Sequence, residues 1–226
     1  MVIKTATRIK QAKKLKGNSE KDFFIFGDSN TQGFWDSKGG WATRLKQYFD
    51  EWMAISPKFP KHGFYYMVYP LGITDDTTKK ILERFEFEAG KRMAWGTTEE
   101  IFIFQIGKND TAFLNIGESE KNIEEIIKRA KRFSNRIFFL EVAPVNERFT
   151  RPVAWDKKCF YDNKKITRFN KMLNKVAIKN GAKVIHIFEA WRKIDYKKML
   201  ADGVHPNDKG HEYIFRKVKD FLLKIF

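Results

Sequence analysis

The sequence predicts an α/β fold: one doubly wound domain whose five-stranded parallel sheet lies between two layers of helices, a three-layer sandwich. Three observations carry this expectation. Five apolar runs, at 23–26, 64–69, 100–106, 136–142 and 183–187, are too short for helices and rich in aromatic and β-branched residues. Segments with helical periodicity separate them in regular alternation. No repeat, low-complexity stretch or composition shift divides the chain after residue 21.

The elements follow in order. Residues 1–21 are polar and basic and form an arm or a short helix around 6–15. The first strand ends at Gly27, and Asp28, Ser29 and Asn30 are helix-capping residue types. Trp41, Leu45, Tyr48, Phe49 and Trp52 recur at helical spacing, so 41–54 is an amphipathic helix. Pro57 and Pro60 mark a loop. The second strand stops at Pro70, and an Asp/Thr cluster at 74–78 opens a helix reaching about residue 91. The third strand ends at Gly107, with a helix at about 119–133 beyond it. The fourth ends near Pro144 and feeds a long aromatic connection, 145–163, of the kind that often carries function. A helix at 163–180 stops at Asn180-Gly181. The fifth strand is followed by a short helical segment from about Glu189. A final helix spans 208–225.

With 226 residues and a hydrophobic fraction of 42%, the chain can bury a full core as one domain over 22–226. No apolar run is long enough to span a membrane, and the N-terminus lacks the apolar centre of a signal peptide, so a cytoplasmic protein is expected. Cys159 is the only cysteine, which excludes an internal disulfide and a cysteine-cluster metal site. The formal charge is +16, from 44 basic and 28 acidic residues. Lysines scattered along the chain supply most of it, without an arginine–aromatic stacking platform. That pattern reads as a solvated surface with no specific nucleic-acid partner and at most weak contact with anionic surfaces.

Polar groups fall where successive strands end: Ser29, the Asp75 region, Asn109, and the pair Asp202 and His205. Taken singly, Ser29 can equally be a helix cap, Asn109 a turn former and His205 a surface residue. Their coincidence at the carboxyl edge of one sheet, where α/β ligands bind, suits acyl transfer. A serine needs an imidazole to take its proton, and the imidazole needs a carboxylate to orient it. Asp202 lies three residues before His205, within reach inside one loop turn, and Pro206 holds His205 extended. Ser29 N–H, a backbone N–H near Asp75 and the Asn109 amide are candidate oxyanion donors.

These blocks resemble the SGNH/GDSL-type serine esterases. Gly27-Asp28-Ser29-Asn30 resembles the family's first block, Gly107-Lys108-Asn109-Asp110 its third and Asp202-Gly203-Val204-His205-Pro206 its fifth. The resemblance runs from about residue 22 to the end. It implies the flavodoxin-like SGNH hydrolase fold, Ser29 as nucleophile, His205 as base, Asp202 as its partner, and an oxyanion hole from Ser29, Asp75 and Asn109. It implies no cofactor and no metal. Asp28, Gly72 and Trp155 are expected at the substrate. The second block departs: family members resemble Asn-x-Gly-x-Ser-Gly-x-Thr there, whereas Pro70 replaces the asparagine and Asp75 the final glycine. Asp75 is expected to cap the helix that follows it. His62, His186 and His211 are expected to be structural or surface residues without carboxylate partners.

The expected function is hydrolysis of small or single-chain acyl esters through an acyl-serine, by a carboxylesterase, thioesterase, lysophospholipase or carbohydrate deacetylase. The alternatives are a binding protein on this fold with weakened catalysis, or a basic nucleic-acid or anionic-membrane binder. Oligomeric state is open.

Overall fold

The computed structural model describes residues 20–55, 66–93 and 99–226. Five strands form one sheet: β1 (Lys21–Gly27), β2 (Tyr66–Gly72), β3 (Glu99–Gln105), β4 (Ile137–Leu140) and β5 (Lys183–Ile185). Their order is β2-β1-β3-β4-β5, and every pairing is parallel. After β1 come α1 (Ser29–Gln32) and α2 (Gly40–Ile55), and after β2 comes α3 (Thr78–Gly90). After β3 come α4 (Asp110–Phe113) and α5 (Ile116–Ala130), and after β4 comes α6 (Asn163–Lys179). After β5 come α7 (Phe188–Arg192), a 3-10 turn at Tyr196–Met199 and α8 (Asp208–Ile225). The fold is the expected α/β sandwich.

The period-2 alternation of each strand sorts its residues into two cores. Phe24, Phe26, Phe102, Phe104 and Phe139 face α3, α5 and α6, meeting Phe85, Ile126, Ile127, Phe169 and Leu173. Phe23, Ile25, Ile101, Ile103, Phe138 and Leu140 face α2 and α8, meeting Trp41, Leu45, Phe49, Ile214 and Val218. Aromatic rings stack across neighbouring strands: Phe24 on Phe102 at 5.3 Å, Phe26 on Phe104 at 5.7 Å and Phe104 on Phe139 at 5.2 Å. Each such pair adds roughly 0.5–1.5 kcal/mol to the transfer energy of burying the rings.

The strand order reverses at β1, which leads to β2 on one side and lies against β3 on the other. That places the crevice for a ligand at the carboxyl ends of β1 and β3. The helix expected at about 119–133 instead runs Ile116–Ala130, because the Asn115 side chain caps it by accepting the Glu118 N–H. Three strands stop two residues or more from the expected end. β2 continues through Pro70 to Gly72 instead of stopping at Tyr69, because β2 is an edge strand where a missing N–H breaks no ladder on the open side. β4 stops at Leu140, and the backbone of Val142 instead exchanges hydrogen bonds with the side-chain amide of Asn170 at 2.9 and 3.0 Å. β5 stops at Ile185, because the N–H groups of Ile187 and Phe188 donate to the Glu141 carboxylate. The expected N-terminal arm through residue 19, Pro57, Pro60, His62, the start of the second strand and the side chain of Trp52 lie outside the described residues. Among the described residues, no helix is long and apolar enough to cross a membrane.

Candidate active site

The site begins where β1 ends. A Cβ on Gly27 would run into the Thr31 side chain and the Gln105 carbonyl, so only glycine lets the chain turn there. Asp28, not Ser29, caps α1: its carboxylate accepts the Asn30 backbone N–H at 2.9 Å and the Asn30 amide at 3.0 Å. Ser29 is thereby the first helical residue, and its hydroxyl is free for another partner. With only four residues, α1 offers little macrodipole, so the helix terminus is not what distinguishes this serine.

The partner comes from the loop before α8. Ser29 Oγ lies 2.9 Å from His205 Nε2, and His205 Nδ1 lies 2.7 Å from Asp202 Oδ2. Asp202 Oδ1 accepts the backbone N–H groups of Val204 at 2.9 Å and His205 at 2.8 Å. The turn is closed by Ala201 N–H donating to the His205 carbonyl at 2.9 Å. Gly203 has φ +92, and a Cβ there would meet Phe149. Burial pushes the Asp202 pKa up, but the bonds from His205 and the two backbone N–H groups outweigh it and hold the carboxyl at about 2. An ionised carboxylate only accepts, so Nδ1 carries the imidazole proton and Nε2 is left to accept from Ser29.

Asn109 stands beyond β3, across the crevice from Ser29. Its Nδ2 donates to the Asp76 carbonyl at 2.9 Å, and its Oδ1 accepts from the Tyr161 hydroxyl at 2.8 Å. Phe34 and Trp155 flank the imidazole, with ring centres 5.2 and 5.6 Å from that of His205.

A family model for the GDSL-like lipase/acylhydrolase family matches residues 25–213. The chain belongs to that family. This GDSL-type chain is 24% identical over 210 residues to the isoamyl acetate-hydrolyzing esterase 1 homolog of Homo sapiens, covering 84% of the chain and 77% of the relative. It is 30% identical over 129 residues to a multidomain esterase of Ruminococcus flavefaciens; the match covers 54% of the chain but spans only 16% of that longer protein. Among solved structures, the lipase/acylhydrolase from Enterococcus faecalis superposes with a TM-score of 0.68 at 18% identity, covering 90% of this chain and 96% of that one. The acetylxylan esterase Axe2 from Geobacillus stearothermophilus gives a TM-score of 0.65 at 17% identity, with coverage of 88% and 92%. At these identities the two structures speak for the fold.

The departure from the family's second block has a structural answer. Asp75 has φ +62, the left-handed conformation that a glycine adopts freely. The expectation that Asp75 caps α3 is corrected. Thr77 is the N-cap and accepts from Lys80 N–H. The Thr78 N–H and hydroxyl are taken by the Asp110 carboxylate. Asp76 pairs instead with Arg84 at 2.7 Å. The Asp75 side chain is exposed and makes no hydrogen bond or ion pair among the described residues.

The three residues expected at the substrate are placed very differently. Asp28 is 1% exposed and spent on its cap. A Cβ on Gly72 would strike the backbone of Thr31 and Gln32, so this glycine serves close packing of β2 on α1. Trp155 alone of the three is exposed, beside His205. His186 does have a carboxylate partner, contrary to expectation: its Nδ1 lies 3.0 Å from Glu141 Oε1. His211 is fully buried, accepts from Trp41 N–H at Nδ1 and donates from Nε2 to the Phe34 carbonyl at 3.1 Å. Burial pushes its pKa down, which keeps it in that neutral form.

Sequence reasoning passed over Lys108, Tyr161 and Trp35. Lys108 is 3% exposed, and its ammonium donates to the Ala143 carbonyl at 2.7 Å beneath the site. Burial drives its pKa down to about 8, against the attraction of Asp28 and Asp202. A lysine between two block residues was the available signal. Among the described residues, no three His, Cys, Asp or Glu side chains converge on a metal-sized site.

Proposed function

We propose that this GDSL-type chain hydrolyses small or single-chain acyl esters through an acyl-Ser29 intermediate. The observation that carries the proposal is the continuous line Ser29 Oγ, His205, Asp202, with separations of 2.9 and 2.7 Å. Ser29 Oγ attacks the ester carbonyl carbon while its proton passes to His205 Nε2, and the carbonyl π pair moves onto oxygen. Asp202, ionised at neutral pH, stabilises the imidazolium. The tetrahedral intermediate collapses, the alcohol leaves with the proton from His205, and the acyl group stays on Ser29. Water then attacks, His205 takes its proton and returns it to Ser29 Oγ, and the acid departs.

Three donors serve the oxyanion in this reading: Ser29 N–H, Asp75 N–H and Asn109 Nδ2–H. Neither backbone N–H has a protein acceptor among the described residues. Asn109 Nδ2 spends one of its two hydrogens on Asp76. The apolar part of the ester rests against Phe34 and Trp155, which lie on either loop beside His205. The lone, buried Cys159 fits a reducing compartment, and cytoplasmic residence belongs to the same proposal.

The test is labelling with a fluorophosphonate, followed by turnover of short p-nitrophenyl esters. The wild type should label at Ser29, and Ser29→Ala should lose label and reduce kcat by several orders of magnitude. Absence of both labelling and turnover across a panel of acyl chain lengths would favour the binding-protein alternative.

A further inference from the structure

Trp35 combines a strained backbone with a contact to the acid of the site. Its φ is +63, a conformation that a bulky residue adopts only at conformational cost. Burial of the ring does not repay that cost, since the residue is 59% exposed. Its indole Nε1–H donates to Asp202 Oδ2 at 2.9 Å. That is the same oxygen that faces His205 Nδ1.

The chain on both sides of Trp35 is tied down, so the strain cannot relax away. Before it, the Phe34 carbonyl accepts from His211 Nε2. After it, the Asp36 carboxylate takes Arg44 Nε at 2.9 Å, Arg44 Nη2 at 2.6 Å and the Gly40 N–H at 2.8 Å. The Ser37 N–H donates to Asp208 Oδ1 at 2.9 Å, joining the loop to the start of α8. The loop is therefore anchored to α2 and to α8, the helix that follows the Asp202 turn.

We propose that Trp35 is a positioning residue for Asp202, retained in its unfavourable backbone conformation because only there does the indole N–H reach Oδ2. The proposal rests on the reading of Ser29, His205 and Asp202 as the reacting groups. With Oδ1 held by two backbone N–H groups and Oδ2 by the indole, the carboxylate cannot rotate away from Nδ1. The indole also draws charge from Oδ2, which limits how strongly the carboxylate favours the imidazolium. Asp28 and His211 interact electrostatically with His205, and Lys108 with Asp202; substitution of Trp35 removes none of these three groups.

The experiment compares wild type, Trp35→Phe and Trp35→Gly on a p-nitrophenyl ester, with active sites counted by fluorophosphonate. Trp35→Phe keeps an aromatic ring and loses the donor. Its kcat per titrated site should fall about tenfold, the weight of one hydrogen bond to a charged group, with KM changed by less than about twofold. The acid-side midpoint of its pH–kcat profile should move to higher pH, because the freed Oδ2 stabilises the protonated base more strongly. Trp35→Gly should melt no lower than wild type, since glycine takes φ +63 without strain, yet lose at least as much kcat. Trp35→Phe with wild-type kcat, or with reduced kcat and an unmoved acid-side midpoint, would overturn the proposal. A wild type that does not label would overturn the reading of Ser29 itself, and this proposal with it.

Discussion

Tyr161 donates its hydroxyl to Asn109 Oδ1 at 2.8 Å, and this bond together with the Asp76 carbonyl settles which way the Asn109 amide faces. A carbonyl accepts only, so Nδ2 must be the atom turned toward Asp76, and Oδ1 the atom turned toward Tyr161. Burial pushes the Tyr161 pKa up, which keeps the phenol protonated as a donor. The connection between β4 and α6 thus reaches across to orient a residue at the end of β3.

Tyr161→Phe should therefore impair the site without touching the Ser29–His205–Asp202 line. Removing the hydroxyl leaves Oδ1 of a 4%-exposed asparagine without its donor. Loss of a whole oxyanion donor costs about a hundredfold or more in rate, and loss of its orientation should cost about tenfold in kcat. The unpaired buried oxygen should lower stability by roughly 1–3 kcal/mol. Urea unfolding and kcat per titrated site measure the two effects. A kcat equal to wild type would separate Asn109 from the oxyanion.

Asp75→Asn tests the charge at the family's glycine position while keeping a residue type that tolerates the left-handed conformation. The carboxylate is exposed and caps nothing, so its removal should leave the melting temperature within about a degree or two. If the Asp75 N–H serves the oxyanion, removing a negative charge nearby should raise kcat by about two- to fivefold at nearly constant KM. The steady-state kinetics of the two proteins decide it, and a fall in kcat would mean that the carboxylate helps the reaction.

Asp110, not Asp75, holds the first N–H of α3. Its carboxylate accepts from Thr78 N–H at 3.1 Å and from the hydroxyls of Thr78 at 2.5 Å and Ser119 at 2.9 Å, all buried. This one side chain ties the starts of α3 and α5 to the end of β3. Asp110→Ala strands three donors and should lower stability by about 3 kcal/mol or more, read as a shift in the urea midpoint at unchanged m-value. A loss below about 1 kcal/mol would show that water replaces the carboxylate at little cost.

Lys108 sets a pH dependence of opposite sign to that of a paired lysine. Its folded pKa lies at about 8, below the ordinary lysine value of 10.5, chiefly because burial penalises the ammonium. Below about pH 8 the folded and unfolded chains both hold the proton, and this group adds no slope. Between about 8 and 10.5 the unfolded chain still holds a proton that the folded chain has released, so stability rises with pH there. The slope from this group approaches about 1.4 kcal/mol per pH unit. Lys108→Met should lack it, and urea titrations of both proteins from pH 7 to about 10 compare the slopes. Equal slopes would place the Lys108 proton in the same state before and after unfolding.

Much of the molecule was legible because its signals are local. A buried parallel strand must be apolar on both faces, so the runs from Phe23 to Phe26 and Ile101 to Phe104 declare themselves. Asp202 and His205 meet because a three-residue turn through glycine brings a carboxylate onto the imidazole, and that spacing is written in the chain. Ser29 and Asn109 follow from the topology, since the ends of β1 and β3 must face one crevice.

What the sequence alone determined is which segments are buried and which polar residues stand at one edge of the sheet. Only the tertiary structure decided who binds whom there. Trp35 reaches Asp202 across 167 positions, Tyr161 reaches Asn109 across 52, and Asp110 reaches Thr78 across 32. The left-handed backbone at Trp35 runs against the preference of a bulky residue, so no local rule predicts it, whereas at Asp75 it falls where the family carries glycine and on a residue type that tolerates it. Pro70 lies inside a strand because β2 is at the edge of the sheet, a fact of strand order rather than of the residue. The physical reason is common to these cases: a side chain's nearest polar partner is fixed by how the strands order and the loops close over them, whereas sequence spacing constrains only partners within a turn or two of the same segment.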